Sequence, residues 1–280
     1  MHPRYAAKRV AFLTQHGKES LIGPLLAPAL GCEILRTEGY DTDLLGSFSG
    51  EVKRTDSQLK TAKRKARIGM RLSGLTIGLG SEGAFVPDPY GGLMPWNIEV
   101  LTWLDDDHGL EIVGMAQGPA RSMHRSIRNE AELEDFAQAA GFPEHHLLLR
   151  PQSESDLRIQ KGLSNWTALK QAFAQCLRAS DNARVFAEND HRAFCNPTRQ
   201  WVIRRAAEDL LKKIQSACPV CDLPGFCKVS HTPGLPCGVC RCPTPLAKAF
   251  QWQCAACAFS QVVPAIEPHA DASRCNVCNP

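Results

Sequence analysis

The chain has 280 residues, of which 44% are hydrophobic and 22% are charged, and these ordinary globular values exclude a disordered or fibrous protein. The formal net charge is only +3, and no apolar run approaches the roughly 20 residues that a membrane crossing needs. The opening MHPRYAAKRVAFL lacks an extended apolar signal segment. We therefore expect a soluble cytoplasmic protein with reduced cysteines and no membrane partner.

The first part of the chain has the pattern of a β-α-β unit. Residues 9–14 predict a buried strand, residues 20–30 a helix, and residues 32–36 a second short strand. This order is typical of an α/β domain with parallel strands, in which ligands gather where strands end and helices begin. The connecting loop carries the candidate binding residues Thr14, His16 and Lys18.

A polar surface loop over residues 39–57 leads into a basic helix predicted over residues 57–72, with Ser57 as its N-cap. Its positive charges fall on one face, which indicates either a solvated surface or a rim that steers anions. They are Lys60, Lys63, Arg64, Arg67 and Arg71.

A strand predicted over residues 75–79 runs into the sequence GSEGAF, residues 80–85. Glycines that flank an acid at the end of a strand allow a ligand to approach the backbone closely, which makes Glu82 a candidate catalytic residue. A solvent-facing acid in a turn would have the same sequence, and both interpretations stay open.

The middle of the chain predicts further strands and helices. Strands are expected at residues 97–103, 111–116, 145–150 and 183–187, and helices at 130–140 and 165–178. His145 opens a strand, where a histidine can act as a general acid or base or as a hydrogen-bonded part of the scaffold. Lys161 precedes a helix and is a candidate substrate-binding residue.

The segment ENDHRAFCNPTR, residues 188–199, is the most polar stretch before the cysteine-rich tail. Pro197 and Thr198 within it mark the start of a helix that runs to residue 214. Paired carboxylates can hold magnesium, and arginines can grip phosphate through two hydrogen bonds. A structural ion-pair network that fastens the last helix is the alternative. The candidates are Glu188, Asp190, Arg192 and Arg199 for catalysis, and Asn196 and Thr198 for substrate binding.

Four CxxC pairs in the last quarter of the chain predict two structural zinc ions, because two pairs supply four thiolates and close a tetrahedral site. The pairs are Cys218/Cys221, Cys237/Cys240, Cys254/Cys257 and Cys275/Cys278. Sequential pairing leaves 15 and 17 residues between pairs and is favoured over interleaved pairing, which leaves 32 and 34. Residues 218–280 carry a net charge of +1, which falls to −3 when eight thiolates bind two Zn²⁺ ions, so a nucleic-acid clamp is not favoured.

Several motifs together resemble a bacterial family to which no reaction is assigned. They are HGKE at residues 16–19, DTDLLGSF at 41–48, SEGAF at 81–85, GFPEHH at 141–146, KG at 161–162, NPTR at 196–199 and the four CxxC pairs.

Residues 9–85 are also similar, more weakly, to the inosine triphosphate pyrophosphatase family. That resemblance implies that Lys18 and Lys65 meet phosphate and that Glu82 is one of the acids that hold magnesium. The sequence departs from the family's pattern where Leu79 and Gly80 replace its paired aspartates.

These observations predict an α/β domain over residues 1–214, with a mixed, mainly parallel sheet and flanking helices, followed by a double zinc-ribbon domain over residues 215–280. The predicted function is metal-assisted hydrolysis of an anionic, phosphorylated small molecule or nucleotide. The site is expected to gather at one rim of a single sheet, with magnesium as a cofactor besides the two zinc ions. The alternative is a non-catalytic zinc-ribbon adaptor that binds nucleic acid or protein.

Overall fold

The computed structural model describes residues 3–46 and 56–280, and the chain forms two compact units. The first contains residues up to Leu104 together with Val113–Leu211, and the second contains Asp105–Ile112 and Lys212–Pro280. Part of the predicted loop at 39–57, including the end of the DTDLLGSF motif, lies outside the described residues. The predicted domain boundary after residue 214 stays a prediction.

A five-stranded mixed sheet in the order β2-β1-β3-β4-β5 organises the first part of the chain. Strand β1 pairs in parallel with β2 and β3, and short connections join β3, β4 and β5 in succession. The predicted mixed α/β fold with flanking helices is therefore confirmed. The elements are β1 (Arg9–Leu13), α1 (Glu19–Leu30), β2 (Glu33–Thr37), α2 (Gln58–Ser73), β3 (Ile77–Pro87), β4 (Pro95–Asp105) and β5 (Leu110–Pro119).

Helix α2 lies directly against β3 because both surfaces carry small residues. Ser57 caps the helix as predicted, since its Oγ accepts a hydrogen bond from the Lys60 amide at 3.3 Å. Ala62 is fully buried on the inner face, and a Cβ atom at Gly80 would overlap its carbonyl oxygen. Only glycine at position 80 permits this close approach, which sets the position of the α2 side chains relative to the sheet.

The prediction that β3 ends before Gly80 is wrong. The strand continues to Pro87, so Glu82 lies in its middle, where it is 4% exposed. The glycines that made this sequence look like a loop instead make room for neighbouring groups. A Cβ atom at Gly83 would overlap the Glu99 carboxylate, just as one at Gly80 would overlap α2.

A second sheet in the same unit has the order β6-β9-β7-β8, and its paired strands are antiparallel. Leu133, Phe136, Leu169 and Phe173 belong to the apolar core that α3 and α4 form with this sheet. Its elements are β6 (His124–Ile127), α3 (Glu130–Ala139), β7 (Leu147–Pro151), β8 (Gln160–Leu163), α4 (Trp166–Arg178) and β9 (Val185–Asn189), followed by α5 (Pro197–Gln215). The expectation of one sheet beneath the site is wrong, since the candidate residues are divided between two.

The second unit contains an antiparallel meander of three strands, β10 (Cys227–Pro233), β11 (Ala247–Gln253) and β12 (Ser260–Pro264). Its strands are short and mostly exposed, so this unit buries little apolar surface for its length. No α-helix among the described residues combines the length and apolar character that a bilayer crossing requires. The predicted cytoplasmic location stays a prediction.

Candidate functional site

The eight predicted zinc ligands form two groups of four, but the favoured sequential pairing is wrong. Cys218 and Cys221 gather with Cys254 and Cys257, and Cys237 and Cys240 gather with Cys275 and Cys278. The pairing is therefore interleaved. Cys227, His231 and Cys242, which lie between the CxxC pairs in the sequence, belong to neither group.

The meander explains the interleaving. Cys227 at the start of β10 lies opposite Gln253 at the end of β11, so the CxxC pair before β10 meets the pair after β11. Strand β12 then runs back along β11, from Ser260 beside Gln253 to Pro264 beside Ala249. The remaining two pairs, which follow β10 and β12, consequently meet at the opposite end of the sheet.

The sulfur positions fit tetrahedral zinc. Within the groups, Sγ–Sγ distances are 3.7 Å for Cys218–Cys257, 3.6 Å for Cys221–Cys254, 3.9 Å for Cys237–Cys278 and 3.5 Å for Cys240–Cys275. A tetrahedron with Zn–S bonds of about 2.3 Å has edges of about 3.8 Å. The backbone amides of Val220 and Val239 donate to the Sγ atoms of Cys218 and Cys237 at 3.4 Å each, and such contacts favour the thiolate form that zinc requires. Each group is thus suited to a closed, structural zinc site.

A buried carboxylate lies at the centre of the polar cluster in the first unit. Glu99 on β4 is completely buried and accepts hydrogen bonds from Lys18 Nζ at 3.0 Å and from Arg199 Nε at 2.7 Å. Lys18 also donates to Ser81 Oγ at 2.9 Å. Lys18 immediately precedes α1, and Arg199 lies in the first turn of α5, so Glu99 connects two helices to the sheet.

The surrounding charges determine how these groups ionise. Burial opposes ionisation of Glu99, but Arg199 and Lys18 more than offset it and hold the pKa of Glu99 at about 2. Burial lowers the pKa of Lys18 to about 8, against the opposing attraction of Glu99. At neutral pH the cluster therefore contains two cations and one carboxylate.

A second ion pair lies next to the one between Lys18 and Glu99. Lys65 Nζ on α2 donates to Glu82 Oε2 on β3 at 2.7 Å, and both side chains are largely buried. This pair lines one concave site together with Lys18, Ser81 and Arg199. The site has a volume of about 400 Å³, including its open mouth, and we call it the Lys18 pocket. Its polar lining is Thr14, Gln15, His16, Lys18, Thr42, Asp43, Lys65, Ser81, Glu82 and Arg199.

An adjoining site of about 460 Å³, including its open mouth, contains the candidates from the second sheet, and we call it the Asp190 pocket. Asp190 accepts hydrogen bonds from the Arg192 side chain and from the Gly162 amide at 3.1 Å. Glu188 Oε1 accepts from Arg150 Nη2 at 3.1 Å, and burial raises the pKa of Glu188. The polar lining is His16, Asp43, Lys161, Glu188, Asp190, His191 and Arg192.

The two pockets meet at His16 and Asp43, which line both and whose side chains lie 3.1 Å apart. Their charges differ in sign. The Lys18 pocket has three cations against two carboxylates, whereas the Asp190 pocket has two cations against three carboxylates, with histidines counted as neutral. Glu99, buried behind the Lys18 pocket, accepts hydrogen bonds from two of its three cations and offsets the excess positive charge of the lining.

Three predicted site residues lie elsewhere in the first unit. His145 Nε2 lies 3.3 Å from Thr198 Oγ1, which in turn donates to Asn196 Oδ1 at 2.7 Å. Asn196 Oδ1 also accepts from the Arg199 amide at 3.0 Å and so caps α5. None of the three lines the Lys18 or the Asp190 pocket. Their contacts instead organise the start of the helix that carries Arg199.

Sequence reasoning missed Glu99 and Asp43. A charged residue at an alternate position in a predicted apolar strand, as in NIEVLTW at residues 97–103, is a signal that could have identified Glu99. Asp43 stands in a motif that the sequence singled out, but its partner His16 is 27 residues away. No local spacing indicates that contact.

Comparison with known proteins identifies one family. The family described as "Domain of unknown function (DUF6671)" matches residues 65–280. No curated protein and no solved structure matches the chain.

Proposed function

This chain belongs to the DUF6671 family, whose description assigns no function, so we propose a function from the site itself. The protein binds a phosphorylated small molecule in the Lys18 pocket and hydrolyses it with the help of a metal ion. The observation that carries this proposal is the convergence of Lys18, Lys65 and Arg199. They come from a loop and two helices that are far apart in sequence. Three cations in one concave site are a suitable receptor for phosphate oxygens.

The buried Glu99 supports this role. A cluster of cations alone would repel itself and favour deprotonation of Lys18. The carboxylate behind Lys18 and Arg199 keeps both side chains ordered, and Lys18 stays largely protonated at neutral pH. A phosphate would then meet groups that are already oriented, which reduces the free-energy cost of reorganisation on binding.

Glu82 and Asp43 are the carboxylates of the Lys18 pocket, and we assign them to the attacking water and the metal. Among the described residues, only the two cysteine groups bring three or more potential metal-ligand atoms within 4.8 Å of one another. Magnesium commonly binds through one or two carboxylates together with substrate phosphates. The proposed ion would therefore be held partly by the substrate.

The Asp190 pocket has a supporting role in this proposal. Asp190 is already engaged by Arg192, and Glu188 by Arg150. We propose that these pairs fix the wall opposite His16 and Asp43, and that Lys161 and Arg192 attract anionic groups of the substrate. The resemblance to the inosine triphosphate pyrophosphatase family adds support, because Lys18, Lys65 and Glu82, the residues that it implies, line one pocket.

A substitution at Glu82 tests the chemistry. The full-length protein is assayed for phosphate release from a panel of phosphorylated metabolites, with and without Mg²⁺. We expect Mg²⁺-dependent release, and we expect Glu82→Gln to lower kcat by about 10²-fold or more, the usual effect of removing a general base. The amide oxygen of the substituted side chain can still accept the hydrogen bond from Lys65, but the charge of Glu82 is lost, so the variant should melt at a lower temperature. Circular dichroism at the assay temperature checks that it is folded there.

Glu33→Gln is the matched control, because the Glu33 side chain is 64% exposed on the first sheet. It should leave turnover unchanged. Absence of turnover with every compound, or equal turnover by Glu82→Gln and the parent protein, would contradict the proposal.

A further inference from the structure

The outer face of helix α2 carries a straight row of exposed cations. Lys60, Arg64, Arg67 and Arg71 follow one another at intervals of three or four residues, and all four are exposed. Because an α-helix rises about 1.5 Å per residue, the row extends for about 16 Å along one line of the helix surface. The opposite face, which contains the fully buried Ala62, packs against the sheet. We call these four residues the basic row.

The helix does not balance the charge of this row. Helix α2 contains six cations and no acidic residue, with the half-buried Lys63 and Lys65 on the flanks of the row. Neighbouring members of the row are like charges at spacings of three or four residues, and such pairs repel one another. Asp56, just before the helix, offsets part of this charge at one end, since its carboxylate lies 2.6 Å from Lys60 and 3.9 Å from Arg64.

Helix α5 shows the pattern of a face that meets only solvent. Its exposed residues Arg204, Glu208 and Lys212 alternate in sign at intervals of four residues. Opposite charges at this spacing attract one another, so α5 balances its own surface charge. Helix α2 instead retains repulsive pairs along its whole outer face. An excess of one sign that costs helix stability indicates an anionic partner.

The chemistry of the row distinguishes between kinds of anionic partner. A membrane-binding helix inserts its apolar face, but the apolar face of α2 is buried against the sheet. A protein partner would need apolar anchors at the centre of the interface, whereas the exposed Leu59 and Leu72 lie at the two ends of the helix. A phosphate backbone requires only cations along a line, and arginine binds phosphate through two hydrogen bonds.

We infer that the basic row binds the phosphate backbone of a nucleic acid without reading its base sequence. This interaction is independent of the proposed hydrolysis, because none of the four residues lines the Lys18 pocket. Lys65, the cation of α2 that lines this pocket, is directed to Glu82 on β3 instead. One helix therefore presents cations to two separate ligands, on two different faces.

Fluorescence anisotropy of a labelled DNA duplex, titrated with the full-length protein at several salt concentrations, tests this inference. The duplex has 5′-hydroxyl ends, so it offers no terminal phosphate to the Lys18 pocket. Each cation that neutralises a phosphate releases bound counterions, which makes the affinity depend on salt. With four contacts, the logarithm of the affinity should fall with the logarithm of the salt concentration with a slope of about −3.6.

The variant Arg64→Gln/Arg71→Gln removes two of the four contacts and keeps good helix formers in their place. The slope should become shallower by about 1.8, and the affinity at about 0.1 M salt should fall at least about tenfold. The variant should melt at an equal or higher temperature, because each substitution removes a repulsion with Arg67. Weakened binding by a folded protein is then a property of the row.

Two further variants serve as controls. Arg204→Gln/Lys212→Gln makes the same change in net charge at exposed positions of α5, and Lys65→Met alters the Lys18 pocket. Both should bind the duplex within about twofold of the parent protein, since neither changes a contact of the row. A duplex of unrelated sequence should bind the parent protein equally well.

Equal salt slopes for Arg64→Gln/Arg71→Gln and the parent protein, or no binding by the parent protein, would overturn the inference. The same holds if the α5 variant weakens binding as much, because net charge alone would then explain the effect. Equal weakening by Lys65→Met would place the duplex in the Lys18 pocket instead. Tighter binding of the row to vesicles of anionic phospholipid than to the duplex would identify a lipid surface as the partner and also overturn it.

Discussion

Glu99 shows how one residue can hold a charged site together. It is completely buried, yet it stays ionised because Lys18 and Arg199 both donate to it. Desolvation of an isolated carboxylate in this position would cost much free energy. A buried, ionised Glu99 therefore requires its two cationic partners. Glu99 also restricts residue 83 to glycine, because its carboxylate occupies the space that a Cβ atom at position 83 would need.

Glu99→Gln should lower the free energy of unfolding by about 3–5 kcal/mol, because it leaves Lys18 and Arg199 buried without a counter-charge. Urea unfolding at pH 7 measures this change. Glu38→Gln is the matched control, since the Glu38 side chain is 78% exposed, and it should have little effect. Equal unfolding midpoints for Glu99→Gln and the parent protein would contradict the proposed role of the cluster.

The same residue gives the stability a defined dependence on pH. The pKa of Glu99 is about 2 in the folded chain against an ordinary value of 4.5, so the unfolded chain binds the proton more readily. Its contribution to stability is therefore present above pH 4.5 and is lost as the pH falls from about 4.5 to about 2. The Glu99→Gln variant should lack this part of the acid-induced loss.

At the scale of elements, the sequence predicted most helices and strands but not the way in which some of them meet. The β-α-β opening, the cap at Ser57 and the helix that begins at Pro197 follow from local patterns, and the structure confirms them. The extent of β3 could not be read locally, because Gly80 packs against a helix that precedes it in the chain. Zinc pairing was missed for a similar reason, since it depends on how strands pair.

The zinc pairing gives a prediction at this scale. Replacement of Cys218, Cys221, Cys254 and Cys257 by serine should lower the zinc content from two ions per chain to one, because the other group of four stays complete. Elemental analysis of the purified protein measures this number. Sequential pairing would instead leave no complete group and remove both ions. Zinc well below two ions per chain in the parent protein would contradict the two-site account.

At the scale of the whole molecule, the candidate site draws on two sheets that the sequence did not separate. Strands β6 and β8 were not predicted, because each has only four residues and little apolar alternation. Lys18, Glu82 and Arg199 were nevertheless identified from their types and positions, and Lys65 from the family resemblance. All four line one pocket. Residue types in the sequence indicated the chemistry of the site. Contacts between residues far apart in the chain, such as Lys18 with Glu99, could be identified only from the folded structure.

The binding of inorganic pyrophosphate to the Lys18 pocket tests the central claim most directly. Lys65→Met removes one of the three converging cations and keeps much of its aliphatic stem, while Lys60→Met changes a lysine of the same helix whose side chain is 72% exposed. In calorimetric titrations we predict that Lys65→Met binds at least about tenfold more weakly than the parent protein, as expected for a lost charged hydrogen bond, and that Lys60→Met binds equally well. No binding by the parent protein, or equal binding by Lys65→Met, would contradict the account.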